Sequence, residues 1–141
     1  MKIISVKLAL FCVAVTLASP LHGENRFLTS IDDMPLANEL TEEANSTIIF
    51  ETSQGRISYA TATGGATYET VKGFYSLSLP QLGWETDDIQ KGWHYSSLKW
   101  VSTWHRGAEK LTIELAKKND VMRVNFILTP LHKIHQYGRN Q

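Results

Sequence analysis

Leu111-Thr112-Ile113-Glu114-Leu115-Ala116-Lys117-Lys118-Asn119-Asp120-Val121-Met122-Arg123-Val124-Asn125-Phe126-Ile127-Leu128 is the stretch from which the fold can be read. Leu111, Ile113 and Leu115 alternate with Thr112 and Glu114. Beyond the polar turn Lys118-Asn119-Asp120, Met122, Val124, Phe126 and Leu128 alternate with Arg123, Asn125 and Ile127. A period of two puts successive side chains on opposite faces of a strand. The two runs predict an antiparallel hairpin with one oily face.

Upstream the period changes. From Tyr68, the residues Val71, Phe74, Tyr75, Ser78, Leu79 and Leu82 recur at steps of three and four, the spacing of one helix stripe. Thr67 is placed to cap that helix through its hydroxyl, with Glu69 near the positive end of the helix dipole. Gly73 lowers helix propensity by about 1 kcal/mol relative to Ala. Pro80 discourages continuation, and Gly83 can take the left-handed conformation that ends a helix, so the helix should stop near Leu79 to Leu82. Trp84 would then lie over the helix end or the sheet.

Further upstream, Ile48-Ile49-Phe50 and Arg56 to Thr63 flank the turn Ser53-Gln54-Gly55 and predict another hairpin. Ile57, Tyr59 and Thr61 share one side of its second strand, and Arg56, Ser58 and Ala60 the other. Tyr95 to Arg106 is also strand-like, with Asp87 to Gly92 and Gly107 to Glu109 as turns. The expected fold is α+β, an antiparallel sheet with one packed helix in the approximate order β-β-α-β-β-β, with an added strand or long turn around Trp84 to Trp93.

The beginning of the chain reads differently. Lys2 and Lys7 precede Leu8 to Leu17, ten residues without charge, which is the pattern of a secretory signal peptide. That run is far below the roughly 20 residues of a bilayer-crossing helix. Cleavage after Ala18 or after Gly23 is compatible with the small-residue rule. Either removes Cys12, the chain's single cysteine, and with it any thiol chemistry. Lipidation of Cys12 is disfavoured, because Phe11 precedes it and it lies inside the oily run. The organisation expected is a signal peptide at 1–23, an extended N-terminal arm at 24–46, an α+β domain at 47–130 and a flexible tail at 131–141. Ile31, Met34, Leu36 and Leu40 could anchor the arm, with short helical character around Leu36 to Glu43. Asn45-Ser46-Thr47 matches a glycosylation acceptor and reads as a polar turn in a bacterial protein.

The 141 residues carry 14 basic and 14 acidic side chains. Removal of the first 23 leaves twelve basic against fourteen acidic, a formal balance of −2. Such a chain has no global attraction for a polyanion, and nucleic acid is not expected as a partner.

The run Phe74-Tyr75-Ser76-Leu77-Ser78-Leu79-Pro80-Gln81-Leu82-Gly83-Trp84, an FYxxxLPxLGW pattern, resembles a segment of small uncharacterised exported bacterial proteins. In these, the helix ending in this pattern is followed by a strand, a turn and a strand similar to Arg106-Gly107-Ala108-Glu109-Lys110-Leu111-Thr112-Ile113-Glu114. The likeness covers roughly 48–128, and this chain departs from it in the aromatic residues around Trp93 to Trp100. The resemblance implies an α+β domain and an envelope location, and it carries no catalytic set.

Residue chemistry points the same way. His132 and His135 lie three apart, and His94 and His105 could approach, but there is no second close His pair and no helical HExxH, so no metal site is expected. No serine occupies a GxSxG elbow, and Ser96 or Ser97 near His94 or His105 is proximity in sequence only. Asp87-Asp88 reads as a solvated turn, and Gly64-Gly65 lacks the lysine of a phosphate loop. No catalytic residue and no cofactor is assigned.

The strongest binding signal is aromatic: Trp93, Tyr95, Trp100 and Trp104, with Lys91, Lys99 and Arg106 interleaved. On a bent strand Trp100, Ser102, Trp104 and Arg106 share one face, either filling the core or offering rings and cations to a ligand. Trp93, Tyr95, Trp100, Trp104 and Arg106 are therefore the candidate interaction surface. The function expected is a non-enzymatic interaction module, periplasmic or otherwise exported, whose partner is another envelope protein. The alternative is a binder of a small molecule, glycan or lipid headgroup, and a weak hydrolase using His94 or His105 ranks third.

Overall fold

The computed structural model of the protein describes residues 26–86 and 92–131. Its elements in chain order are β1 (Leu40–Glu42), β2 (Ile48–Thr52), β3 (Gly55–Gly64), α1 (Tyr68–Gln81), β4 (Trp93–Ser96), β5 (Lys99–Arg106), β6 (Glu109–Lys118) and β7 (Val121–Pro130). The seven strands form one antiparallel sheet in the order β1-β3-β7-β6-β5-β4, with β2 also paired to β3. The fold is α+β in the broad sense, a strand-dominated sheet with one helix. Its order differs from β-β-α-β-β-β by two strands. β1 lies where short helical character was expected. The strand expected over Tyr95 to Arg106 is divided into β4 and β5 by a turn at Ser97 and Leu98, both with positive φ, which pairs Tyr95 with Trp100.

The helix forms where its signals place it. Thr67 accepts a bond from the Thr70 amide at 3.1 Å, satisfying a first-turn donor. At the other end Gly83, at φ +81°, donates to the Pro80 carbonyl at 3.2 Å, and Trp84 donates to the Leu79 carbonyl at 3.1 Å. This pair of bonds is a Schellman closure, and it delivers Trp84 onto the core. Val71, Tyr75 and Leu79 form the buried stripe, with Phe74 and Leu82 packed partly against it.

The helix lies on one face of the sheet. Met122, Val124, Phe126 and Leu128 of β7, Leu111, Ile113 and Leu115 of β6, and Trp104 of β5 are buried there. Each fully buried Leu, Ile or Phe side chain contributes about 1.5–3 kcal/mol relative to leaving it in water. Tyr75 meets Phe126 edge to face, with ring centroids 5.6 Å apart. The chain before β1 packs on the same side. It doubles back through the Leu28 amide to the Met34 carbonyl at 2.9 Å and the Leu36 amide to the Arg26 carbonyl at 2.7 Å. This loop buries Ile31, Met34 and Leu36, and Leu40 at the start of β1 is buried beside them.

β3 alternates in the expected register, and its small face is the one turned inward. Ser58, Ala60 and Ala62 are buried, while Tyr59 is exposed. Small side chains leave room for the helix and the N-terminal loop to approach the sheet together. The larger Ile57 and Tyr59 are carried to the outer face. No helix among the described residues is long and apolar enough to cross a membrane.

Candidate functional site

The register of β4, β5 and β6 puts Trp93, Tyr95, Trp100, Ser102 and Trp104 on the helix side of the sheet. They do not form one open strip. Trp104 is buried in the core, and Trp93 is half-buried, its indole N–H donating to Ser76 Oγ at 3.1 Å. Trp100 is half-buried beneath Lys72, whose Nζ lies 3.8 Å from the ring centroid. Tyr95 is exposed and tilts against Trp100 at 5.5 Å. Arg106 faces the Trp84 ring at 4.4 Å, donates to the Leu82 carbonyl at 3.4 Å and pairs with Glu109 at 3.6 Å. These aromatic residues hold the helix end and the β4–β5 hairpin to the sheet. The cations beside them are already engaged on rings of this chain.

A groove of about 580 Å³ opens on the same side, between the last turns of α1 and β5. Leu77, Pro80, Trp84 and Trp104 supply its apolar lining, and Ser76, Glu85 and Thr86 its polar lining. The indole N–H groups of Trp84 and Trp104 are buried without a hydrogen-bond partner among the described residues.

Among the described residues His94 and His105 do not meet. His94 stands opposite Val101, and His105 opposite Lys110, so the two are separated by four residues, roughly 13 Å, along the strand direction. Among the described residues no group of three or more His, Cys, Asp or Glu side chains is placed to hold a metal. Asp87-Asp88, His132 and His135, Cys12, Lys91 and the segment expected to be a signal peptide lie outside the described residues.

The outer face of the sheet is uneven. Toward β5 and β6 it is polar, with Lys99 Nζ 2.5 Å from Glu114 Oε1, and between β3 and β7 Thr61 Oγ1 lies 3.1 Å from Asn125 Oδ1. Toward β2 it is apolar. Ile48 pairs with Tyr59 and Tyr59 with Ile127, which makes one row across three strands, and Phe50 pairs with Ile57 in the next. Ile48, Phe50 and Tyr59 are 49%, 56% and 39% exposed. All five residues of β2 are exposed, and no described residue pairs with its outer edge.

No family model, curated protein or solved structure matches this chain. The outer apolar rows were not among the residues singled out in the sequence, although their signal is there. Ile127 interrupts the polar side of β7, and β3 carries Ile57 and Tyr59 opposite Ser58 and Ala60, so both faces of these strands compete for burial.

Proposed function

We propose that the protein is a non-enzymatic interaction module of the bacterial cell envelope, which binds an extended, alternately apolar segment of another envelope protein along β2. The observation that carries this reading is the row Ile48, Tyr59 and Ile127 with Phe50 and Ile57 beside it, on the side of the sheet away from the helix. The solvated face of an antiparallel sheet is ordinarily polar, and a contiguous apolar patch there marks a contact surface. An exposed edge strand supplies backbone donors and acceptors to an incoming strand, and neighbouring side chains select its sequence. The pair Thr52–Gly55 closes the hairpin turn, so the ladder alternation directs Ile48 and Phe50 amides toward β3 and those of Ile49 and Glu51 outward. The basic start and oily run of residues 1–17 support the envelope location.

The test is a photo-crosslinking residue, benzoylphenylalanine, in place of Phe50 in the full exported chain, with the same residue in place of exposed Glu69 on α1 as control. The expected result is an adduct of one defined larger mass from position 50 and none from position 69, lost when Ile49→Pro removes an outward amide. Equal labelling at both sites, or no adduct at position 50, would sink the reading. An adduct of twice the chain mass would replace the foreign partner by a second copy.

A further inference from the structure

The groove beside α1 has a chemistry of its own. Of the three described tryptophans near it, Trp93 gives its indole N–H to Ser76 Oγ, whereas Trp84 and Trp104, which line the groove, find no acceptor for theirs among the described residues. Both residues are almost entirely buried, at 1% and 2% exposure. Native interiors pair buried donors, and an unpaired one bears its full desolvation cost, so two at one cavity call for an explanation. Pro80 adds to the polarity of the wall, because it has no N–H to return to the Ser76 carbonyl four residues earlier.

The charge of the lining narrows the ligand. Among the described residues Glu85 lines the groove and no basic side chain does, since Arg106 is held by the Trp84 ring, the Leu82 carbonyl and Glu109. An anion entering an apolar cleft beside a carboxylate would meet repulsion with no compensating cation among the described lining residues. Leu77, Pro80 and the two indoles favour a flat or branched apolar body, and the cavity lies within the size range of small-molecule sites.

We propose that this groove binds an uncharged, mainly apolar molecule carrying a carbonyl or ether oxygen, which accepts hydrogen bonds from the indole N–H groups of Trp84 and Trp104. Those N–H groups are covered in the free protein, so the rings turn within the groove wall as the oxygen is seated. That turn draws the Trp84 ring away from the Arg106 guanidinium, which lies 4.4 Å from its centroid in the free protein. The site is separate from β2, on the opposite face of the sheet.

Prodan, a neutral naphthyl ketone, is the probe, titrated into the purified protein and followed by its own emission and by tryptophan quenching. N-phenyl-1-naphthylamine, which has no oxygen, and the anionic anilinonaphthalenesulfonate are the comparators. Saturable one-to-one binding of Prodan is expected, with the anionic dye weaker and strengthened by Glu85→Gln. Leu77 is 72% exposed on the groove rim, so Leu77→Lys keeps the fold and should weaken Prodan by about tenfold. Trp104→Phe keeps a ring and removes the donor. It should weaken Prodan by roughly three- to tenfold and leave N-phenyl-1-naphthylamine unchanged. Phe50→Lys should leave all three probes unchanged, which separates this site from the β2 surface. Absence of saturable Prodan binding, an unaltered affinity in Leu77→Lys, or equal losses of the two neutral probes in Trp104→Phe would overturn the proposal.

Discussion

The phenol of Tyr75 donates a hydrogen bond to the Pro35 carbonyl at 3.1 Å, joining the middle of the helix to backbone forty residues earlier in the chain. Tyr75 is wholly buried, with Phe74 and Phe126 against it edge on. One hydroxyl thus ties the helix to the N-terminal loop inside the core.

Burial pushes the Tyr75 phenol above its ordinary pKa, only partly opposed by the Ala37 backbone. The unfolded chain, with a phenol near its usual value of about 10, loses the proton first as pH rises. The stabilisation is therefore complete below about pH 10 and is lost as pH climbs above it. Urea denaturation near pH 8 and near pH 11 should show this loss in the wild type and a smaller one in Tyr75→Phe. At the lower pH the substitution should cost about 1 kcal/mol, from the missing bond and the unpaired Pro35 carbonyl.

Gly64 pairs with Leu40, and a Cβ built on it would fall 1.7 Å from the Glu39 carbonyl oxygen. Neither backbone can yield without breaking the β1 ladder. Gly64→Ala should cost about 3 kcal/mol or more, with residues 26–46 becoming the first site of proteolysis. The control is Gly65→Ala, whose Cβ would meet nothing within 4 Å and which should retain both stability and protease resistance.

Gly83 holds φ +81°, and an added Cβ would find only Arg106 Cδ, at 3.9 Å. Space is not the obstacle there. Gly83→Ala should destabilise by about 1 kcal/mol through backbone strain alone, with an unchanged denaturant slope.

The β4–β5 turn points the other way. Leu98 has φ 66° and is 83% exposed, so it accepts left-handed strain with almost no burial in return. A two-residue turn of this kind favours glycine at that position. Leu98→Gly should raise stability by up to about 1 kcal/mol, seen as a higher thermal midpoint.

Several of these features were legible from residue order. Thr67, Pro80, Gly83 and Trp84 mark the helix and its closure because caps and breakers act within a turn of backbone. The alternation of β6 and β7 could be read because side-chain direction in a strand has a period of two. The Ser97–Leu98 turn was not legible. Neither residue type signals positive φ, and the bend shows only in the pairing of Tyr95 with Trp100. The aromatic residues from Trp93 to Trp104 could equally have been surface or core, since alternation groups a face without saying what covers it.

By itself the sequence determined an antiparallel sheet, one capped helix after the second hairpin strand, and an even balance of basic and acidic side chains. These are local or additive properties. Only the tertiary structure decided which face of β3 is inner. The helix and the N-terminal loop both have to fit over that strand, and Ser58, Ala60 and Ala62 leave them room where Ile57 and Tyr59 would not. That steric choice sends the larger side chains outward beside Ile48, Phe50 and Ile127, and turns the aromatic residues of β5 under the helix.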